Sequence, residues 1–118
     1  MIVRVDPTSS APLFEQIAAS IRTDAAAGRM KPGDRLPAAR ELARALEVNL
    51  HTVLHAYQRL RDEGLVDLRP GRGAVVTAAV APLADLHEDI TALAARARAL
   101  SLSPDTLAAL VKEAAHDR

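Results

Sequence analysis

Apolar residues recur every three or four positions through three stretches in the first half of the chain, and this spacing predicts helices. The first helix is expected from Pro12, a residue suited to a first helical turn, to Gly28, which ends it. The second is expected over 38–46, and the third from Asn49, a good N-cap residue, to Gly64. Only a very short break separates the second helix from the third.

Short runs of aliphatic and β-branched residues predict strands on either side of these helices. One is expected at 2–5, and two more at 65–68 and 74–77. The last two are close enough in sequence to pair as a hairpin, because the residues between them, 70–73, have the composition of a turn. A two-residue extended piece at 35–36 precedes the second helix.

A different pattern follows a small-residue linker at 78–82. Apolar residues at alternating intervals of three and four form an a/d seam, as in helices that pair with one another. The seam is made of Leu83, Leu86, Ile90, Leu93, Ala97 and Leu100. A last helix is expected to begin at Ser103, and its apolar side carries Leu107, Leu110 and Val111.

Two small helices have too little apolar surface to be stable alone, so these two are predicted to pair with a second copy of the chain. The alternative, packing on each other or on the preceding domain, stays open. All nine apolar residues of the two helices are therefore candidate dimerisation residues.

Helix, helix, tight turn, helix and hairpin is the element order of a winged helix-turn-helix. The chain is therefore predicted to be mainly α-helical with a small β-hairpin wing, followed by a two-helix C-terminal appendage. A DNA-binding domain is expected at 1–77, and a short linker with a dimerisation unit at 78–118.

Composition narrows the class of protein without deciding it. The 118 residues suit one compact domain with an appendage, and the lack of cysteine excludes disulfides and thiolate metal sites. The 15 basic and 15 acidic side chains cancel, so no net positive field points to nucleic acid. With no apolar run long enough for a signal peptide or a membrane span, a soluble cytoplasmic protein is expected.

Five short motifs, taken together and in order, resemble the GntR family of bacterial regulators. They are 12–17 (PLFEQI), 28–37 (GRMKPGDRLP), 40–43 (RELA), 63–66 (EGLV) and 69–73 (RPGRG). Residues 49–57 and the short two-helix tail are similar to the YtrA-type subfamily. The resemblance implies a homodimeric, DNA-binding transcriptional regulator, most often a repressor, that binds a pseudo-palindromic operator.

The outward face of the third helix holds most of the candidate DNA contacts. Its polar side chains suit base edges or phosphates, and its leucines suit thymine methyl groups. These candidates are Asn49, Leu50, His51, Thr52, Leu54 and His55. The alternative for these side chains is an ordinary solvated helix face.

Two further candidate contacts lie outside that helix. The resemblance implies that Arg40, on the second helix, contacts DNA; the alternative is a surface ion pair. In the hairpin turn, Gly71, Arg72 and Gly73 would present an arginine to a narrow minor groove. A glycine turn without any contact to DNA is the alternative there.

Other classes of function find little support. No serine–histidine–acid grouping or phosphate-binding loop is recognisable, so no enzyme is predicted. His51 and His55 have the spacing of metal ligands but no third ligand nearby, so neither a metal nor a cofactor is expected. A small-molecule effector is left open and unassigned. The second candidate function is a winged-helix module for protein contact, which an exposed Leu50 and Leu54 would favour.

Overall fold

The computed structural model describes residues 3–116 and divides into two compact units, a head that ends at Asp85 and a tail that begins at Leu86. The elements are α1 (Leu13–Ala26), α2 (Ala39–Leu46), α3 (Leu50–Asp62), β1 (Val66–Arg69), β2 (Gly73–Val76), α4 (Ala81–Ala99) and α5 (Pro104–His116). This confirms the predicted fold class, mainly helical with one hairpin after the third helix and two C-terminal helices.

One apolar core lies beneath the three helices and the hairpin of the head. The side chains of Val53, Ala56 and Leu60 on α3 meet those of Ile17 and Ala18 on α1, and all five are fully buried. The buried stripe of α3 is the one that the helical spacing selected, because residues three and four apart share one face of a helix. The outward face of α3 is thereby set for contacts outside the head.

The hairpin is tied to the segment that precedes α2. Its strands are antiparallel, with Val66 opposite Val76. The extended piece at 35–36 lies antiparallel beside β2, and the Leu36 N–H donates to the Ala74 carbonyl at 2.9 Å. The wing is therefore anchored to the beginning of the helix-turn-helix.

The strand predicted at 2–5 is wrong where the structure describes it. Ile2 lies outside the described residues, and 3–5 form no strand. The backbone of Arg4 bonds instead to one side chain of α1: its N–H donates to Ser20 Oγ at 3.2 Å, and its carbonyl accepts from that hydroxyl at 3.1 Å. A hydroxyl on a helix surface thus takes the place of a partner strand.

The segment predicted as a linker at 78–82 is helical. Residues Ala78–Val80 form a 3₁₀ turn whose N-cap is Thr77, and α4 follows at once. Alanine favours helix, and Pro82 lies in the first turn of α4, where a missing N–H costs nothing. Val80 is buried in the head's core and Leu83 packs against it, so the head extends beyond the predicted boundary at residue 77.

The turn between α2 and α3 has a left-handed residue that is not glycine. Glu47 has a φ of 56°, and the Val48 N–H donates to the Ala43 carbonyl at 3.0 Å to close α2. Asn49 then caps α3, since its Oδ1 accepts from the His51 N–H at 2.8 Å. The predicted N-cap of α3 is therefore confirmed.

We expect Glu47→Gly to raise the free energy of unfolding by up to about 1 kcal/mol. A left-handed conformation costs an L-residue about 1–2 kcal/mol, and the greater backbone freedom of unfolded glycine cancels part of the gain. Urea unfolding followed by circular dichroism measures the change. The control is Ala45→Gly, at an exposed helical position of α2, which should cost about 1 kcal/mol. Stability lost in both variants would contradict the expectation.

Candidate nucleic-acid interface

The first turns of α3 present the predicted contact face. His51, Leu54 and His55 are exposed, and Thr52 is half-buried. Asn49 is exposed as well, but its side-chain oxygen is already engaged in the cap of α3. Only the N–H groups of its side-chain amide are free to donate to a molecule that binds this face of α3.

Leu50 does not belong to this exposed face. It is half-buried and packs against the head's core, because it lies three residues before Val53 on the buried stripe. The expected pair of exposed leucines is therefore reduced to Leu54, which is 37% exposed.

His55 is held by a contact that the sequence analysis missed. Its ring stacks on that of Phe14 in α1, with 3.6 Å between ring centroids and 12° between ring planes. The guanidinium of Arg59 lies 5.4 Å from the centre of the same phenyl ring and also pairs with Glu15. One face of the imidazole is thus covered, and its position on α3 is fixed from α1.

Arg40 and Arg72 are exposed, and within residues 3–116 neither has a carboxylate oxygen within 4 Å. The ion pair considered for Arg40 is therefore not formed among the described residues. Arg69, in contrast, pairs with Asp67 at 3.3 Å. The positive charges of Arg40 and Arg72 are available to an anionic partner.

A groove of about 450 Å³ separates α3 from the wing. Leu54 and Tyr57 line it from α3, Leu68 from β1 and Arg72 from the hairpin turn. Arg35, which the sequence analysis did not select, also lines this groove, and its Nε donates to the Arg72 carbonyl at 3.1 Å. No local motif signals this bond, because it joins residues 37 positions apart.

Tyr57 serves the packing of the head. It is 4% exposed, and its hydroxyl donates to the Pro37 carbonyl at 2.7 Å. Burial, with a smaller contribution from the negative charge of Glu41, raises the pKa of the Tyr57 hydroxyl well above its usual range. This hydroxyl holds the segment that leads into α2, so it is not free to reach a phosphate.

We expect Tyr57→Phe to lower the free energy of unfolding by about 1 kcal/mol at pH 7, the loss of one buried hydrogen bond. The wild type should also lose stability above about pH 10, since the unfolded tyrosine ionises there while the folded one resists ionisation. The phenylalanine variant lacks that part of the pH dependence. Urea unfolding at pH 7 and pH 10.5 measures both effects, and parallel pH profiles would contradict the role of this hydroxyl.

The tail exposes an apolar surface. Leu86, Ile90, Leu93, Leu100, Leu110 and Val111 are between 43% and 67% exposed, and Leu107 is half-buried. Several of them border a groove of about 340 Å³. Two predicted seam residues contribute little to this exposed surface, because Leu83 packs in the head and Ala97 is 5% exposed. The second tail helix begins as expected, with Ser103 Oγ accepting from the Thr106 N–H.

Two other features bear on the class of site. The described part of the chain contains no group of three or more histidine, aspartate or glutamate side chains that could hold a metal ion. None of its helices is both long and apolar enough to cross a membrane.

Comparison with known proteins decides the family. Residues 13–76 match the family described as bacterial regulatory proteins, gntR family. This chain belongs to the GntR family. It is thus a DNA-binding regulator with a winged helix-turn-helix, in a family of regulators and not of enzymes. The matched region holds α1 to β2, and with them both candidate contact elements, the outward face of α3 and the wing.

Among its GntR relatives, the transcriptional repressor YtrA of Bacillus subtilis is 41% identical over 76 residues, which are 64% of this chain and 58% of that repressor. The structure of YtrA from Sulfolobus acidocaldarius, a GntR-family transcription factor, is 38% identical, with a TM-score of 0.63 over 84% of this chain and 99% of that one. These two similarities confirm the predicted YtrA-type resemblance.

Two further solved structures extend the comparison. A GntR family transcriptional regulator from Listeria monocytogenes is 29% identical, with a TM-score of 0.65 over 92% of this chain and 98% of that one. The AraR DNA-binding domain in complex with operator ORX1 is 26% identical, with a TM-score of 0.57. That similarity covers 63% of this chain and 92% of the AraR domain.

Proposed function

We propose that this chain is a transcriptional repressor that acts in the cytoplasm and binds a pseudo-palindromic operator as a homodimer. The observation that carries the proposal is that a GntR-family head exposes two candidate DNA-contacting elements, the outward face of α3 and the wing. Leu54, on the exposed face of α3, and Arg72, in the hairpin turn, line the same groove. The similarity to the AraR domain bound to its operator and to the YtrA repressor supports the same conclusion.

In the proposed complex, α3 enters the major groove with its N-terminal turns nearest the bases. A major groove about 12 Å wide admits one helix. His51 and Thr52 would donate to or accept from base edges and phosphates, and Leu54 would meet a thymine methyl group. His55 would act as a fixed contact, since its stack on Phe14 limits the directions in which its ring nitrogens point.

The wing and α2 would supply the charged contacts. Arg72 would reach a narrow minor groove, where the potential is most negative. Arg40 would hold a phosphate beside the major groove and so fix the position of the helix-turn-helix on the duplex. Both arginines are exposed and without an ion pair among the described residues, so neither contact requires a salt bridge to break first.

The tail would join two copies. Its exposed leucine, isoleucine and valine side chains form a surface that water solvates poorly, and a second copy offers the same surface. A two-fold dimer presents two α3 helices to two half-sites, so its operator would be an inverted repeat. The similarity to the YtrA repressor supports repression as the outcome.

The alternative function, a winged-helix module for protein contact, has less support than the sequence suggested. It relied on two exposed leucines of α3, of which Leu50 packs against the core. The remaining exposed leucines near the wing, Leu54 and Leu68, are 37% and 40% exposed and border the groove with the arginines. A groove of mixed apolar and cationic character suits a nucleic-acid backbone better than an apolar protein surface.

A selection experiment tests the proposed function. The purified 118-residue chain is mixed with a library of random duplexes in about 50 mM salt, and the bound fraction is amplified and sequenced over several rounds. We expect an inverted repeat to emerge, with affinity that falls steeply between about 50 and 200 mM salt. Retention of no duplex at low salt would overturn the proposal, and enrichment of a single half-site would overturn its homodimeric part.

We expect Arg72→Ala to lower the affinity for the selected operator about tenfold per half-site. It should also flatten the plot of log K against log salt by about 0.9 per lost contact, or about 1.8 for the two wings of a dimer. The guanidinium that enters the minor groove is lost, while the turn itself depends on the glycines beside it. Fluorescence anisotropy at four salt concentrations measures both quantities. Arg98→Ala, an exposed tail position with the same loss of charge, is the control. Equal effects in the two variants would show that only net charge matters.

A further inference from the structure

The tip of the wing contains two glycines in the left-handed region of the backbone. Gly71 and Gly73 flank Arg72, with φ values of 77° and 73°, and nothing lies within 4 Å of where a Cβ would be on either. An arginine side chain that can point in many directions loses all but one of them when it binds DNA, and this loss lowers the affinity. Something that fixes the tip before binding would therefore raise the affinity.

One side chain holds this tip. Arg35 Nε donates to the backbone carbonyl of Arg72 at 3.1 Å. The backbone of Arg35 is held in place on both sides. It pairs with Val75 of β2, and the next residue, Leu36, is buried in the core. The bond therefore connects the hairpin turn to the segment that precedes α2.

We propose that Arg35 is a positioning residue that fixes the direction of the Arg72 side chain and acts on DNA affinity through it. This inference rests on the proposed function. The bond uses the main-chain carbonyl, so it persists when the Arg72 side chain is replaced. Arg35 and Arg72 also line the same groove, and direct contact between Arg35 and a phosphate would give a different result in the experiment below.

A double-mutant cycle on the 118-residue chain tests this proposal. Arg35→Ala, Arg72→Ala and the double variant are titrated with the selected operator at several salt concentrations. Each effect below is given per half-site, because a dimer carries every substitution twice. Each single substitution should lower the affinity about tenfold, the effect of one charge-assisted contact. The double variant should bind about as well as Arg72→Ala, because the direction of a side chain that is gone no longer matters.

The salt dependence gives a second readout. Arg72→Ala should flatten the log–log slope by about 0.9, and adding Arg35→Ala should leave that slope unchanged. A double variant that loses about a hundredfold and flattens the slope a second time would assign Arg35 its own phosphate contact and overturn the proposal. An unchanged affinity in Arg35→Ala would overturn it as well.

Arg35→Gln separates the hydrogen bond from the charge. The amide nitrogen of glutamine is as many bonds from Cα as the Nε of arginine, so this variant keeps a donor for the Arg72 carbonyl and removes the positive charge. We expect its affinity to stay within about threefold of the wild type, against about tenfold lost in Arg35→Ala. An affinity equal to that of Arg35→Ala would show that the charge acts directly.

Two controls keep the outcomes distinct. Arg61→Gln removes one positive charge from a side chain that pairs with Asp62 at 3.5 Å, and it should leave the affinity unchanged. Thermal unfolding confirms that every variant is folded at the temperature of the titration. If the wild type itself binds no duplex, the proposed function fails first, whereas binding with an additive cycle rejects only the role of Arg35.

Discussion

We expect Ile90→Asp to convert the proposed dimer into monomers and to lower operator affinity about a hundredfold or more. Ile90 is 57% exposed in one chain, in the middle of the apolar residues of α4. Burying an unpaired carboxylate in an apolar interface costs several kcal/mol, so the paired state becomes unfavourable. Sedimentation velocity measures the oligomeric state, and anisotropy with the selected operator measures the affinity.

The large effect on affinity follows from the way that two linked heads bind. Once one head of a dimer occupies its half-site, the second head is held near the other half-site at a high effective concentration, which adds about 10²–10⁴ in affinity. A monomer loses this gain although every residue of its DNA-contacting surface is intact. Affinity for a single half-site should therefore be equal in Ile90→Asp and the wild-type chain.

The control is Thr91→Asp, which adds the same charge one residue further along α4. Thr91 is exposed and lies outside the a/d seam, so its variant should stay dimeric and bind the operator normally. An Ile90→Asp chain that sediments as a dimer would place the interface elsewhere, for example on the groove between Leu93 and Leu107. Dissociation of both variants would show that the tail is sensitive to any added charge.

The helices of the head and of the tail were predictable from the sequence because their signals are local. Helical spacing selected Val53, Ala56 and Leu60, and these residues are buried. Asn49 and Ser103 were chosen as helix caps on residue type, and each accepts the backbone hydrogen bond of a cap. Capping and amphipathic spacing involve residues within one or two turns, so neighbours along the chain suffice to identify them.

The details of the contact face were not predictable in the same way, because they depend on residues far apart in sequence. Leu50 is an exception, because its spacing of three residues from Val53 already placed it beside the buried stripe, although it was assigned to the outward face. The ring of His55 is fixed by Phe14 from another helix. The segment expected as a linker after residue 77 is another case. Val80 is buried against the core, and the residues around it are helical.

The bond between Arg35 and the wing shows what a motif alone can indicate. Residues 28–37 carry the resemblance to the family, but a motif gives the residue types and not their partners. Arg35 meets Arg72 because the extended piece at 35–36 lies against β2, a pairing that neither segment specifies alone. Element types could thus be predicted from the sequence, whereas the arrangement of charges around the groove required the tertiary structure.

The second large effect is expected in the core of the head, where Leu60→Ala should lower the free energy of unfolding by about 2–5 kcal/mol. Leu60 is fully buried, and its removal costs the transfer of the lost methyl groups and leaves a cavity that the surrounding side chains fill only in part. Domains of this size are stable by about 5–15 kcal/mol, so the loss is a large share of the total. Urea unfolding at one fixed protein concentration measures it, because pairing of chains adds to apparent stability.

The matched control is Leu68→Ala, the same substitution at a position that is 40% exposed on β1. Its side chain already contacts water on one side and leaves no closed cavity, so the cost should stay below about 1 kcal/mol. The difference between the two variants isolates burial, since both lose the same atoms. Equal costs would mean that the contacts of Leu60 with α1 are not what stabilises the head, and the position of α3 on that core would need another explanation.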